Sequence, residues 1–166
     1  EALLSAMSPR YLLYMSVAGI KGHIRLYNEL AAENSKFIWE IERAADANTR
    51  SVTLCAPDRP GLISKIAGVF TLNNINILDV QVFTWRNKIA LDIFKVTPPP
   101  DPILEDEKWS RTATNLEAAL SDELDLSAAL DKKVGLYRNG KTGLGKKPHQ
   151  VTVDNTSSSV FPIVEL

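Results

Sequence analysis

The sequence predicts an α+β chain, a ferredoxin-like βαββαβ sandwich preceded by an extra N-terminal helical segment and strand. Three observations predict it. From Ser51 onward, apolar patterning alternates between period two and helical spacing in the order strand, helix, strand, strand, helix, strand. The first strand runs into a tight turn, Asp58-Arg59-Pro60-Gly61, that opens a helix. The next two strands are joined by the short polar connector Arg86-Asn87-Lys88, as in a hairpin.

Taken in order, Ser8-Pro9 reads as a helix start, with serine as N-cap and proline at the first helical position. Ser16 caps a second helical stretch toward Leu30, with Ile20, Ile24, Tyr27 and Leu30 on one face. Phe37 to Arg43 is a strand, 44–50 a polar connector, and Ser51 to Ala56 the next strand, the two pairing as a hairpin. Leu62, Ile63, Ile66, Val69 and Phe70 mark the buried side of a helix from about Pro60 to Leu72. Asn73-Asn74 ends it, because asparagine tolerates the left-handed conformation.

Ile75 to Trp85 and Ile89 to Val96 form the hairpin. Pro98-Pro99-Pro100-Asp101-Pro102 forces an extended linker. A helix follows from about Glu105 to Glu123, then a shorter one from Asp125 to Val134. Leu136 to Pro148 reads as a mobile loop, Val151 to Asn155 as the fourth strand of the sandwich, and Phe161 to Leu166 as a final strand.

The bulk numbers exclude several classes. Net charge is −1, which gives no global field for nucleic acid or an anionic membrane. No apolar run reaches the length needed to cross a bilayer. The single cysteine, Cys55, has no internal disulfide partner and no metal-site companions, which fits a reducing, cytoplasmic setting. Glu1 replaces an initiating methionine, and the chain stops at or just after a strand, so a piece of a larger protein is expected.

The Asp58 to Gly61 turn is the leading candidate site. A helix start presents free N–H groups and a favourable dipole to a negative group. The same residues also have a purely structural reading, with proline starting the helix and Asp58 satisfying its N–H groups. Asn74 and Asn76 are expected at the opposite side of the pocket, where asparagine offers both donor and acceptor, although a helix cap is the simpler role for Asn74. Asp92 lies in an apolar strand; a structural bond to a loop N–H is favoured for it over catalysis. Asp79 faces solvent or an interface. His23 is a packing residue and His149 is exposed. Gly140 to Gly145, GKTGLG, has the wrong order for a phosphate-binding loop, and the lysines around it lack aromatic interleaving.

Asp58-Arg59-Pro60-Gly61-Leu62, Asn76-Ile77 and Leu91-Asp92-Ile93-Phe94 together resemble an ACT domain, a small regulatory module that often binds amino acids. Val151-Thr152-Val153-Asp154-Asn155, followed by Ser157 and Ile163-Val164-Glu165, is similar to the junction between two tandem ACT domains. That junction belongs to the bifunctional PII uridylyltransferase/uridylyl-removing enzymes of bacterial nitrogen control. Pro9 to Leu13, with His23 downstream, is similar to the part before their first ACT domain. The chain departs from the family at Asn74, where glycine is usual, and at Ser159 to Pro162, where a polar threonine-containing pattern is usual. Pro162 makes the last strand a poor central strand.

The resemblance implies three parts: N-terminal helices and an extra strand over 1–45, an ACT-like regulatory domain over 46–155, and the start of a second over 156–166. It implies an amino-acid ligand, glutamine first, held by Asp58, Arg59, Pro60, Gly61, Leu62, Asn74, Asn76 and Ile77. It further implies a parent that transfers UMP from UTP to PII and removes it hydrolytically, with Mg in catalytic domains preceding Glu1. This stretch contains neither the Gly-Ser plus paired-aspartate pattern of nucleotidyl transfer nor a His-Asp metal cluster, so it is expected to be non-catalytic and cofactor-free. Two alternatives are an ACT domain of another metabolic protein and a purely structural oligomerisation domain. The second apolar face of the sheet needs a cover, from the N-terminal helices, another ACT-like domain or a second copy of the chain.

Overall fold

In the computed structural model, residues 2–44, 48–97, 104–140, 152–154 and 163–165 are described, with residue 2, 136–140 and the last two segments as backbone only. Three helices come first: α1 (Ala2–Ala6), α2 (Pro9–Tyr14) and α3 (Val17–Glu33). The predicted caps form. The Ser8 hydroxyl accepts from the Tyr11 N–H at 3.2 Å and the Ser16 hydroxyl from Gly19 at 3.1 Å.

Strand β1 (Ile38–Arg43) pairs antiparallel with β2 (Arg50–Pro57). Helix α4 (Leu62–Leu72) follows, then the hairpin β3 (Asn76–Thr84) and β4 (Ile89–Thr97). The sheet is antiparallel throughout, in the order β1-β2-β4-β3. Two helices follow, α5 (Glu105–Leu120) and α6 (Leu126–Gly140).

Side-chain parity divides the core. Val52, Leu54, Ala56, Ala90, Phe94 and Val96 face α4 and α5, packing with Ile66, Phe70, Trp109 and Leu116. Cys55 and Leu91, on the other face, pack with Phe83, Trp85 and the N-terminal helices through Met7, Tyr11, Leu26 and Leu30. The N-terminal segment therefore covers much of the second apolar face. Tyr11 packs edge-on against Phe83 and Trp85, and its hydroxyl lies 2.7 Å from His23 Nδ1. Burial lowers the pKa of His23, partly opposed by Glu40. His23 is thus a buried, satisfied packing residue.

Two expectations are corrected. The segment expected as the fourth strand of the sandwich does not join this sheet. It forms β5 (Thr152–Asp154), which pairs antiparallel with β6 (Ile163–Glu165) in a separate two-stranded sheet. The edge position beside β2 is held by β1. Residues 44–49 alone connect β1 to β2, so closing that pair costs less loop entropy than recruiting a strand from beyond residue 150. The chain accordingly divides into compact units, Glu1–Lys133 and Val134–Leu166. Secondly, α6 runs to Gly140, so 136–140 are helical instead of part of a loop; the glycine-rich breakers are concentrated from Gly140 onward. The rest of the expected loop, 141–148, lies outside the described residues, as do His149 and the proline-rich linker 98–102.

Candidate functional site: a cavity at the start of helix α4

The turn from β2 into α4 is pinned to the neighbouring hairpin by the Asp58 N–H, which donates to the Lys88 carbonyl at 2.8 Å. The helix starts later than proline alone predicts. Gly61 is the N-cap, in the left-handed region at φ +80°, and no side chain caps the helix. A β-carbon at Gly61 would meet nothing within 4 Å, so the demand for glycine is purely conformational. Leu62 N–H bonds Arg59 at 3.2 Å and Lys65 N–H bonds Gly61 at 2.9 Å. Between them, the N–H groups of Ile63 and Ser64 lie in the first turn, where the helix supplies no acceptor.

The residues that carry these groups line a cavity of about 150 Å³. Asp58, Arg59 and Gly61 line it from the turn, and Leu62, Ile63 and Ser64 from the helix. Val82 and Thr84 of β3 and Ala90 and Asp92 of β4 complete the wall. Asp92 is fully buried, and neither carboxylate oxygen has a hydrogen-bond partner among the described residues. The loop N–H expected to satisfy it is absent from its surroundings. Burial, reinforced by the nearby Asp58 carboxylate, pushes its pKa from 3.8 up to about 7. Cys55 is likewise raised to about 12, by burial first and by Asp92 second, which makes it an unreactive thiol.

Of the residues expected at the site, Asp58, Arg59, Gly61 and Leu62 come together around this cavity, with Pro60 between them in the turn. Asn74, Asn76 and Ile77 do not join them. They follow the far end of the helix, whose eleven residues span about 16 Å. Asn74 is left-handed at φ 60°, and its side-chain oxygen accepts from Lys133 Nζ at 2.6 Å. Asn76 is exposed at the start of β3, and Ile77 packs against the core. Sequence reasoning did not place Val82, Thr84 or Ala90 at the site and gave Asp92 a structural bond. Strand parity was the available signal, since it sets Asp92 on the same face as Ala90 and Phe94, beneath α4.

Larger hollows have other characters. One of about 420 Å³ contains Arg50 and Glu105, joined by two 2.7 Å bonds, with the Trp109 indole also donating to Glu105 at 3.2 Å. Another, of about 580 Å³, is a mainly apolar groove between β1 and α5. Among the described residues, no three His, Cys, Asp or Glu side chains gather as a metal site, and no helix is long and apolar enough to cross a membrane.

The ACT domain family matches residues 50–107, from β2 through the start of α5. The bifunctional uridylyltransferase/uridylyl-removing enzyme of Rhodospirillum rubrum is 29% identical over the whole chain, which spans 18% of that relative. The enzyme of the same description from Azospirillum brasilense is 28% identical over 75% of the chain and 14% of its own length. That from Novosphingobium aromaticivorans is 33% identical over 69% of the chain and 12% of its own length. The chain thus spans less than a fifth of each of these relatives. No solved structure matches. The cavity-bearing turn, its helix and the β3–β4 hairpin all fall inside the matched segment: residues 50–107 match the ACT domain family, and the chain is similar to a part of bifunctional uridylyltransferase/uridylyl-removing enzymes.

Proposed function

We propose that this chain is a non-catalytic regulatory module that binds a free amino acid, glutamine first among candidates. Its cytoplasmic parent would uridylylate and deuridylylate PII through Mg-dependent domains elsewhere in the protein. The observation that carries the reading is the cavity at the start of α4. Unpaired backbone N–H groups and a helix dipole favour a carboxylate, in a space suited to a small molecule. The lining offers backbone donors, the Asp58 and Asp92 carboxylates, the Arg59 guanidinium, the Ser64 and Thr84 hydroxyls and apolar side chains. The ligand-binding set we propose is Asp58, Arg59, Gly61 and Leu62.

Ligand that binds only the folded state raises the melting temperature by mass action. A thermal scan across millimolar glutamine is expected to show a progressive upward shift. A flat response to glutamine and to every other amino acid removes the sensor reading. Uridylyl transfer to PII by this chain alone would overturn the non-catalytic assignment.

A scaffold reading has one observation in its favour. The outer edge of β3 is unpaired among the described residues, and Leu78, Val80 and Val82 are 49%, 38% and 49% exposed along it. Such an edge suits association with another ACT-like domain or a second copy of the chain. Light scattering that gives a dimer whose mass is insensitive to amino acids supports the scaffold reading; a monomer at high concentration rejects it.

A further inference from the structure

We infer that Asp92 is a ligand-binding residue, holding the α-ammonium group of the amino acid whose carboxylate sits on the Ile63 and Ser64 N–H groups. The inference rests on the amino-acid reading of the cavity and adds what that reading leaves open: which end of the ligand lies where, and which chemical group the site demands.

The argument starts from an imbalance. A carboxylate taken out of water needs compensation, and buried carboxylates ordinarily receive it from hydrogen bonds or a cation. Asp92 receives neither among the described residues. Its neighbours across the sheet, Val82 on β3 and Leu54 on β2, are apolar. The charged groups around the same cavity do not relieve it. Asp58 carries the same sign, and Arg59 lines the cavity without forming an ion pair with Asp92. A second imbalance faces it: the first turn of α4 offers donors and a positive dipole end with no side-chain cap.

Around one small cavity, then, stand a residue of β4 with unmatched acceptors and residues of α4 with unmatched donors. A zwitterion satisfies both at once. Its carboxylate takes the N–H groups, and its ammonium group supplies three donors for Asp92. A dicarboxylate without an amine would meet only the helix end and leave Asp92 unmatched, and a neutral amide would offer Asp92 donors but no opposite charge. The site therefore selects for a free α-amino group, whatever the ligand's side chain.

The test titrates this chain calorimetrically with each of the twenty L-amino acids, then with the N-acetyl derivative of whichever binds. N-acetylation removes the ammonium charge and keeps the carboxylate and side chain. The expected result is binding of at least one amino acid, with affinity reduced at least tenfold by N-acetylation. Asp92→Asn, which keeps shape and removes charge, is expected to weaken the amino acid at least tenfold and leave the N-acetyl derivative unchanged. A thermal melt checks that the variant is folded. Equal binding of the free and N-acetylated forms, or full affinity in a folded Asp92→Asn chain, overturns the role of Asp92 and leaves amino-acid sensing standing. Binding of none of the twenty overturns both.

Discussion

At its C-terminal end, helix α4 has its polar groups matched by side chains; at its N-terminal end it does not. Beyond Leu72, the Asn73 amide donates to the Val69 carbonyl at 2.9 Å and its oxygen accepts from Asn115 at 3.2 Å. Lys133 reaches in from α6 and donates to the carbonyls of Thr71 and Leu72 and to the Asn74 side chain. A cation thus meets the negative end of the helix dipole. At the other end there is a glycine cap held left-handed, a first turn without a side-chain cap, and a buried carboxylate without a partner. The saturated end holds the fold together. On the amino-acid reading proposed above, the unsaturated end is where a ligand would gain free energy.

The largest effect expected from disturbing this contrast is at Asp92. Its folded-state pKa, about 7, lies above its ordinary value of 3.8. Below pH 4 the group is protonated in both folded and unfolded chains, and no penalty arises. Between pH 4 and 7 the folded chain binds the extra proton, so the contribution of Asp92 to stability falls as pH rises. Above pH 7 the penalty is complete, up to about 4 kcal/mol at 1.4 kcal/mol per pKa unit. Asp92→Asn is expected to flatten this slope, leaving the variant more stable than the parent at pH 8 and nearer to it at pH 4. Denaturant melts at the two pH values check this. Parallel pH profiles for the two chains would mean that Asp92 finds a partner in solution.

Next in size is the saturated end. Lys133→Met keeps the apolar stem and removes the donor from two carbonyls and an amide oxygen. Loss of these charged bonds is expected to cost about 1–2 kcal/mol, read as a lower denaturation midpoint with an unchanged slope. Amino-acid affinity is expected to stay the same, because the cavity lies at the other end of the helix. A variant that loses binding while remaining folded would show that the two ends are coupled.

Most of this was legible in the sequence, and the failures have physical causes. Helix α4, the hairpin β3–β4 and both serine caps follow from local spacing and cap chemistry, which short windows contain. The β1–β2 hairpin was read as well, and it forms; that 152–154 stays out of this sheet was not, because the choice between two segments of strand character is made by loop closure over the whole chain. The same distinction applies at the site. The turn was visible because Pro60 and Gly61 punctuate it. Asn74 and Asn76 do not line the cavity beside that turn, because the length of α4 separates them from it, and a spacing of that kind is set by the folded helix. Asp92 was visible as an anomaly in an apolar strand, but its lack of a partner is a property of three dimensions. Pattern alone supplied a bond that the fold withholds.

The smallest effect expected is at Gly61, where it sharpens the comparison by separating backbone strain from ligand access. The residue sits at φ +80° with open space where a side chain would begin. Gly61→Ala therefore meets no clash and is expected to cost about 1 kcal/mol, the ordinary penalty for placing a β-carbon in the left-handed region. Gly61→Asn is expected to cost less, since asparagine occupies that region more readily; Asn74 does so in this chain at φ 60°. The space that removes the clash also borders the cavity. The two variants should thus order one way in stability, asparagine above alanine, and the opposite way in amino-acid affinity, because the longer side chain intrudes further on a ligand. Denaturant melts and calorimetric titration of both variants give the two orders. If asparagine binds ligand as tightly as glycine does, Gly61 serves only the turn, and the open end of the helix is approached from the β3 side.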